Sequence, residues 1–228
     1  MTSKTPSFSS LVMVEFGTVP PQGLLYIAIA SAASAASDML RWTHRPDLLP
    51  VDFGISVVLI GGWVIAIYAV SMLMAGGRFS IIGLGKFVAT SIATALPLIL
   101  SVGLYVVAAR ARSGEGMAGA VVLILGSLAI FALLPGWPIL QAMTATAISP
   151  LKALRSTGGF RLPLVLAALV AGAINGAVPA LSTAEDLGTA CLLAVVGAVA
   201  AAASTLVGLS IAVAAWRLMS GDQRSGVS

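Results

Sequence analysis

Charged residues are scarce in this sequence, and cysteine and histidine occur once each. Charged side chains make up 9% of the chain, whereas soluble domains carry about 25%. This deficit is too large for a surface exposed to water and suits a surface facing lipid. The lone cysteine, Cys191, lies in an apolar run and excludes an intramolecular disulfide and any metal site built from several cysteines. We interpret Cys191 as a small buried hydrophobic residue.

What the chain has instead is six long stretches without a charged residue. All 12 basic and 8 acidic residues, and the histidine, lie between or outside them. A membrane-spanning helix needs about 20 mostly apolar residues, and each stretch is long enough. The stretches are residues 16–37, 53–77, 87–109, 116–151, 162–184 and 187–216.

The apolar runs favour helices over the strands of a barrel. In lipid the backbone must satisfy its own hydrogen bonds, so only helices and closed barrels span a membrane. Barrel strands alternate between apolar and polar residues, whereas residues 121–134 and 192–203 are apolar almost throughout. The sequence therefore predicts an all-α protein, a polytopic transmembrane helical bundle with six spans.

We predict three segments along the chain. Residues 1–19 form an N-terminal interfacial segment, residues 20–218 the six-helix transmembrane domain, and residues 219–228 a polar tail. In the first segment four apolar residues recur at helical spacing, and a frayed terminus is the alternative. Those residues are Phe8, Leu11, Val12 and Phe16.

The predicted spans follow the uncharged stretches closely. Pro135 and Pro138 are expected to kink the fourth span, and the sixth, about 43 Å long, is expected to tilt or to project. The first span has an alternative, because the Ala-Ser run after residue 30 is similar to a signal-peptide cleavage site. The spans are residues 22–39, 54–75, 87–109, 117–146, 162–183 and 188–216.

The basic residues predict the orientation. A cytoplasmic N-terminus places eight of the 12 basic residues on the cytoplasmic side and four on the other side. Positive charge concentrates in cytoplasmic loops, so we expect both termini in the cytoplasm (N-in, C-in).

The sequence contains no catalytic or metal-binding pattern that withstands scrutiny. Residues 83–86, Gly-Leu-Gly-Lys, lack the spacing of a phosphate loop. His44 lies among scattered aspartates in the first loop, where we expect a solvated connection rather than a metal site. Loop lysines and arginines account for the net charge of +4. We expect no enzyme activity, no cofactor and no nucleic-acid partner.

Some polar residues within the spans are candidates for packing or for ligand contact. Asn175 lies between Gly172 and Gly176, a Gly-x-x-x-Gly pair that favours close helix approach with a hydrogen bond across the contact. Substrate contact by Asn175 is the alternative. Trp137 and Gln141, near the prolines of the fourth span, are candidates to line a cavity, as in the broken helices of transporters.

The fourth loop carries a family-like pattern. Residues 133–139 read Leu-Leu-Pro-Gly-Trp-Pro-Ile, and residues 149–161 read Ser-Pro-Leu-Lys-Ala-Leu-Arg-Ser-Thr-Gly-Gly-Phe-Arg, ahead of a long apolar run. The pattern resembles a bacterial six-helix family that includes the YciC-type inner-membrane proteins and the membrane domain fused to some glycerophosphodiester phosphodiesterases. This chain is several residues shorter than that pattern between Ser156 and Gly158. The resemblance implies an inner-membrane protein without transferable catalytic residues, and phosphodiesterase activity is not expected.

The same loop predicts a contact with lipid. Lys152, Arg155 and Arg161 are expected at anionic headgroups. Each should contribute about 1 kcal/mol of attraction to the anionic lipid surface. We therefore expect a multi-pass protein of a bacterial inner membrane whose partners include the bilayer and its anionic headgroups. Its expected role is structural, in assembly or in membrane homeostasis. The alternative is a small transporter or permease subunit with a cavity near Trp137, Gln141 and Asn175.

Overall fold

The computed structural model describes residues 7–43 and 49–220, and every regular element in these ranges is helical. Predictions that concern His44, the first six residues or the tail after Ser220 lie outside the described residues. Two short 3-10 helices cover Gly158–Phe160 and Leu181–Thr183. The α-helices are α1 Phe8–Gly17, α2 Pro21–Thr43, α3 Leu49–Ala75, α4 Ile81–Arg110, α5 Gly114–Leu133, α6 Trp137–Met143, α7 Pro150–Ser156, α8 Arg161–Gly176 and α9 Leu187–Ser220.

Five of the described helices contain a stretch long and apolar enough to cross a membrane. A sixth crossing requires α7 and the helix after it, which are bent by 80°, to act as one span. The prediction of a polytopic helical membrane protein is confirmed, and the six-span count and the orientation stay predictions. The five stretches are Pro21–Leu40, Gly54–Ala75, Ile81–Arg110, Gly114–Leu133 and Leu187–Ser220.

The chain divides into two compact units, Met1–Phe79 with Ala167–Val213 and Ser80–Leu166 with Ala214–Ser228. In the first unit, α2 packs against α3. Gly23 permits a close approach, because a Cβ at this position would lie 3.1 Å from Val70 Cγ1. The contact buries Ile27 and Val70.

After the end of α3 the chain turns back and contacts the last part of that helix. Gly76 adopts a φ of 71°, and the Gly77 N–H donates to Met72 O at 2.8 Å. Glycine takes this left-handed conformation at little cost and commonly ends helices in this way. Phe79 then meets Tyr68 edge to face, with ring centroids 5.2 Å apart.

In the second unit, α4 and α5 pack along small residues spaced seven apart. Thr94, Ser101 and Ala108 are among the buried positions on α4, and Ala120 and Ser127 are buried on α5. Ser101 Oγ and Ser127 Oγ lie 3.2 Å apart, a hydrogen bond across the pair. Small residues let membrane helices approach closely, and a seven-residue repeat keeps one face towards the partner.

The predicted fourth span, 117–146, is broken rather than kinked. α5 ends at Leu133, and α6 begins at Trp137. Pro135 has no N–H to donate and disfavours a helical conformation in the residue before it, which ends α5. Pro138 is tolerated because it lies in the first turn of α6.

Helices α8 and α9 differ in length from the predicted spans. α8 has 16 residues, about 24 Å, and ends at Gly176, whereas the fifth span was expected to reach residue 183. α9 has 34 residues, about 51 Å, longer than the predicted sixth span. The interpretation of Cys191 as buried is wrong: it is exposed, because it lies on the sparsely packed first part of α9.

Candidate functional site

Short helix α6 holds the loop that follows it. Gln141 Nε2 donates to Thr146 O at 3.1 Å, and the Ile148 N–H donates to Gln141 Oε1 at 2.7 Å. Trp137 Nε1 donates to Ile148 O at 2.9 Å. Residues 144–149 are therefore tied by side chains to the helix before them, and we call them the anchored loop.

Lys86, near the start of α4, contacts the same loop. Its Nζ donates to Thr144 O at 2.7 Å and to Ala145 O at 3.3 Å. Both carbonyls follow the C-terminal end of α6, where a positive charge is favoured by the helix dipole. Charge-assisted hydrogen bonds are stronger than neutral ones, so this partly buried lysine fastens the anchored loop to α4. From the sequence, Lys86 was considered only for topology and in the phosphate-loop comparison, because a contact across 58 residues leaves no local pattern.

An apolar cluster lies beside these hydrogen bonds. Leu134, Trp137 and Ala153 are buried together, and Leu154 and Met219 pack against them. The indole of Trp137 thus serves twice, with its ring in the cluster and its N–H on the anchored loop. Because Ala153 belongs to α7, the cluster also fixes the helix that follows the loop.

Helix α7 presents basic side chains on this fixed base. Ser149 caps it, its Oγ accepting from the Lys152 N–H at 3.3 Å. At the other end, Leu154 O accepts from Thr157 Oγ1 at 2.7 Å and from Arg161 Nη2 at 3.4 Å. Lys152, Arg155 and Arg161 are all exposed, and we call these three the basic cluster.

Trp137 and Gln141, the predicted cavity-lining residues of the fourth span, contact the anchored loop in the structure. Both are buried, and the indole N–H and both ends of the carboxamide are engaged by the backbone of the anchored loop. Their polar atoms therefore contribute to the local fold, and a cavity at these residues stays a prediction. Asn175 lies on α8, but its side chain is outside the described part of the structure.

Gly172 and Gly176 make no close helix contact within the described chain, so their packing against another helix stays a prediction. Both glycines are exposed, and a Cβ at either position would meet nothing within 4 Å. α8 instead contacts α9 through Ala171, whose carbonyl accepts a hydrogen bond from Ser204 Oγ at 2.9 Å. Neither Gly172 nor Gly176 takes part in that hydrogen bond.

No group of three His, Cys, Asp or Glu side chains in residues 7–43 and 49–220 is arranged to hold a metal ion. Asp186 is a local cap instead. Its Oδ1 accepts from the Thr189 N–H and its Oδ2 from Thr189 Oγ1, each at 2.8 Å. The Thr189 backbone and side-chain hydrogen bonds lower the pKa of Asp186 by stabilising the carboxylate.

A groove between α2 and α3 is the feature that sequence reasoning missed. Its volume is about 690 Å³, within the range of about 300–1,000 Å³ typical of ligand pockets. Tyr26, Ile29, Ala30 and Ala33 line it from α2. These positions follow the i, i+3, i+4, i+7 spacing of one helix face, a signal that is hard to see in a sequence that is apolar all round.

The opposite wall of the α2–α3 groove is the matching face of α3. Gly62, Ala66 and Ala69 form a strip of small residues there, with Trp63 beside it. Gly77 and Phe79, in the turn after α3, line the end of the groove. Compared with protein-family models, curated proteins and solved structures, the chain gives no match.

Proposed function

We propose that this protein is a non-enzymatic, multi-pass protein of a bacterial inner membrane, acting as a structural, assembly or membrane-homeostasis factor. The observation that carries the proposal is the anchored loop. Four side-chain groups hold it: the Trp137 indole, the Lys86 ammonium and both ends of the Gln141 carboxamide. Polar groups that hold a loop in place support a structural role more than they support a transport pathway, which has to change conformation.

The basic cluster, which follows the anchored loop, offers a binding surface for lipid headgroups. Lys152 and Arg155 are exposed on α7 and Arg161 is exposed at the start of α8, and the apolar cluster contacts α7 through Ala153 and Leu154. Anionic headgroups attract such residues by about 1 kcal/mol each. The charge bias of eight basic residues against four supports a cytoplasmic position for the cluster, with six spans and both termini inside. The resemblance of residues 133–169 to YciC-type proteins agrees with this setting.

The test is the mobility of a spin label beside the basic cluster in nanodiscs. Thr157, the natural centre of the turn, is unsuitable because its side chain is buried and bonded to Leu154 O. Gly159 is exposed with open space at its Cβ position, so it accepts a cysteine-linked label. The parent for labelling is Cys191→Ser, since Cys191 is exposed. We expect the label to be less mobile in anionic than in zwitterionic lipid, with the difference shrinking at high salt.

Two variants separate lipid binding from general charge effects. Changing Lys152, Arg155 and Arg161 to glutamine should abolish the difference between the lipids. Changing Arg110 and Arg112, the basic residues of the α4–α5 turn, to glutamine should leave it unchanged. Equal mobility in both lipids would contradict the proposed headgroup contact. Solute flux in proteoliposomes that stops with Asn175→Leu, in protein that still folds, would favour the transporter instead.

A further inference from the structure

We propose that the α2–α3 groove is a binding site for one membrane phospholipid with an anionic headgroup, its acyl chain lying in the groove and its headgroup at Arg78. This site is separate from the basic cluster and involves none of its residues. The surrounding medium limits which molecules can enter the groove. Both helices contain stretches long and apolar enough to cross a membrane, so the molecules that reach a groove between them are acyl chains.

The shape of the groove favours an extended chain over a compact ligand. Its lining on α3 runs from Val58 to Leu73, 15 helical rises or about 22 Å along the helix. A volume of about 690 Å³ over that length gives a mean cross-section of about 30 Å². Nonbonded carbon atoms pack about 4 Å apart, so this section admits one extended alkyl chain.

Small residues create this space. Ala30 and Ala33 on α2 face Gly62, Ala66 and Ala69 on α3, so the backbones form much of the wall. Between two packed membrane helices, small residues normally allow direct contact. Here they lie beside the α2–α3 contact at Gly23 and Val70, and they leave a trough that a methylene chain can fill.

Charge complementarity selects the headgroup. Arg78 lies between two lining residues, Gly77 and Phe79, at the end of α3. It is exposed and has no hydrogen-bond or ion-pair partner among the described residues. The left-handed Gly76 that ends α3 fixes the path of this turn. A cation at the end of an apolar trough matches the two parts of an anionic phospholipid.

The test uses the fluorescence of Trp63, which lines the groove. The protein is placed in phosphatidylcholine vesicles containing a small fraction of lipid with brominated acyl chains, either phosphatidylglycerol or phosphatidylcholine. Bromine quenches a nearby indole, and the difference between parent and Trp63→Phe isolates the Trp63 signal. We expect about a fivefold higher occupancy by the anionic lipid, the equivalent of about 1 kcal/mol for one arginine near anionic charge.

Matched variants make the result specific. Arg78→Gln should remove the preference for phosphatidylglycerol, while Arg110→Gln, an exposed arginine at the end of α4, should keep it. Ala66→Leu should fill the trough and lower quenching by both lipids, while Ile60→Phe, on an exposed position that does not line the groove, should not.

Three outcomes would overturn the proposal. Equal quenching by the two lipids would mean that the groove holds bulk acyl chains without selection. A preference that survives Arg78→Gln would place the headgroup elsewhere. Protection of Trp63 from both lipids would mean that a protein segment, such as a helix of a second copy, covers the groove. Because Arg78→Gln changes an exposed side chain, the test stands even if Ala66→Leu does not fold.

Discussion

Replacing Gln141 with leucine is the sharpest test of the anchored loop. The side chain is only 7% exposed, and leucine fills similar space, so the change removes hydrogen bonds with little loss of packing. Two hydrogen bonds disappear, the one to Thr146 O and the one from the Ile148 N–H. At about 1 kcal/mol for each net hydrogen bond, the free energy of unfolding should fall by about 2 kcal/mol.

The measurement combines a global and a local readout in detergent micelles. Denaturant titration gives the free energy of unfolding, and amide hydrogen exchange reports the loop directly. The Ile148 amide should exchange faster in Gln141→Leu than in the parent. Gln141→Glu keeps an acceptor for that amide but loses the amide donor to Thr146 O, so the Ile148 amide should exchange more slowly in Gln141→Glu than in Gln141→Leu.

Gln22→Leu is the matched control, because Gln22 is exposed at the start of α2. It makes the same chemical change and should leave both readouts unchanged. The reasoning fails if Gln141→Leu unfolds like the parent and Ile148 exchanges at the parent rate. That result would mean that water or another group replaces the carboxamide at no cost.

Three further predictions concern single features of the fold. Arg112 has a φ of 53°, a left-handed conformation that costs a non-glycine residue about 1 kcal/mol, so Arg112→Gly should raise the free energy of unfolding, whereas Arg112→Ala should not. A double-mutant cycle of Ser101→Ala and Ser127→Ala should give a coupling of about 0.6 kcal/mol, the average for hydrogen bonds between membrane helices; additive losses would mean that the 3.2 Å contact is not a stabilising hydrogen bond. The hydrogen bonds that lower the pKa of Asp186 stabilise the fold fully above the usual carboxyl range, and this contribution is lost as pH falls through the folded pKa. Protection of the Thr189 amide against hydrogen exchange should therefore drop in acid. Asp186→Asn should show no such pH dependence.

The membrane character of the protein could be predicted because it depends on local composition alone. A stretch of about 20 uncharged apolar residues cannot remain in water at low cost, whatever its neighbours are. The break at Pro135 was also a local matter, although we expected a kink, since the lost N–H and the restricted preceding residue act within one turn. The left-handed turn at Gly76 is likewise a local feature that depends on the glycine itself.

Helix pairing was harder to predict from the sequence, because small residues permit contact without specifying a partner. Gly172 and Gly176 carry the better-known packing motif, yet they face open space. Thr94, Ser101 and Ala108 carry a seven-residue spacing that is visible in the sequence, and they form the buried seam of α4. Both patterns are compatible with close approach, and the sequence contains nothing that chooses between them.

The sequence by itself determined that the chain is helical, that it is apolar enough for a membrane, and where its basic residues lie. Only the tertiary structure decided what the polar groups do. Lys86 meets Thr144 across 58 residues, and the groove at Gly62 exists only because α2 pairs with α3. The physical reason is that hydrophobic burial responds to composition and follows from short stretches of sequence. Hydrogen bonds and cavities instead require particular atoms within a few ångströms, which distant parts of the chain supply only after folding.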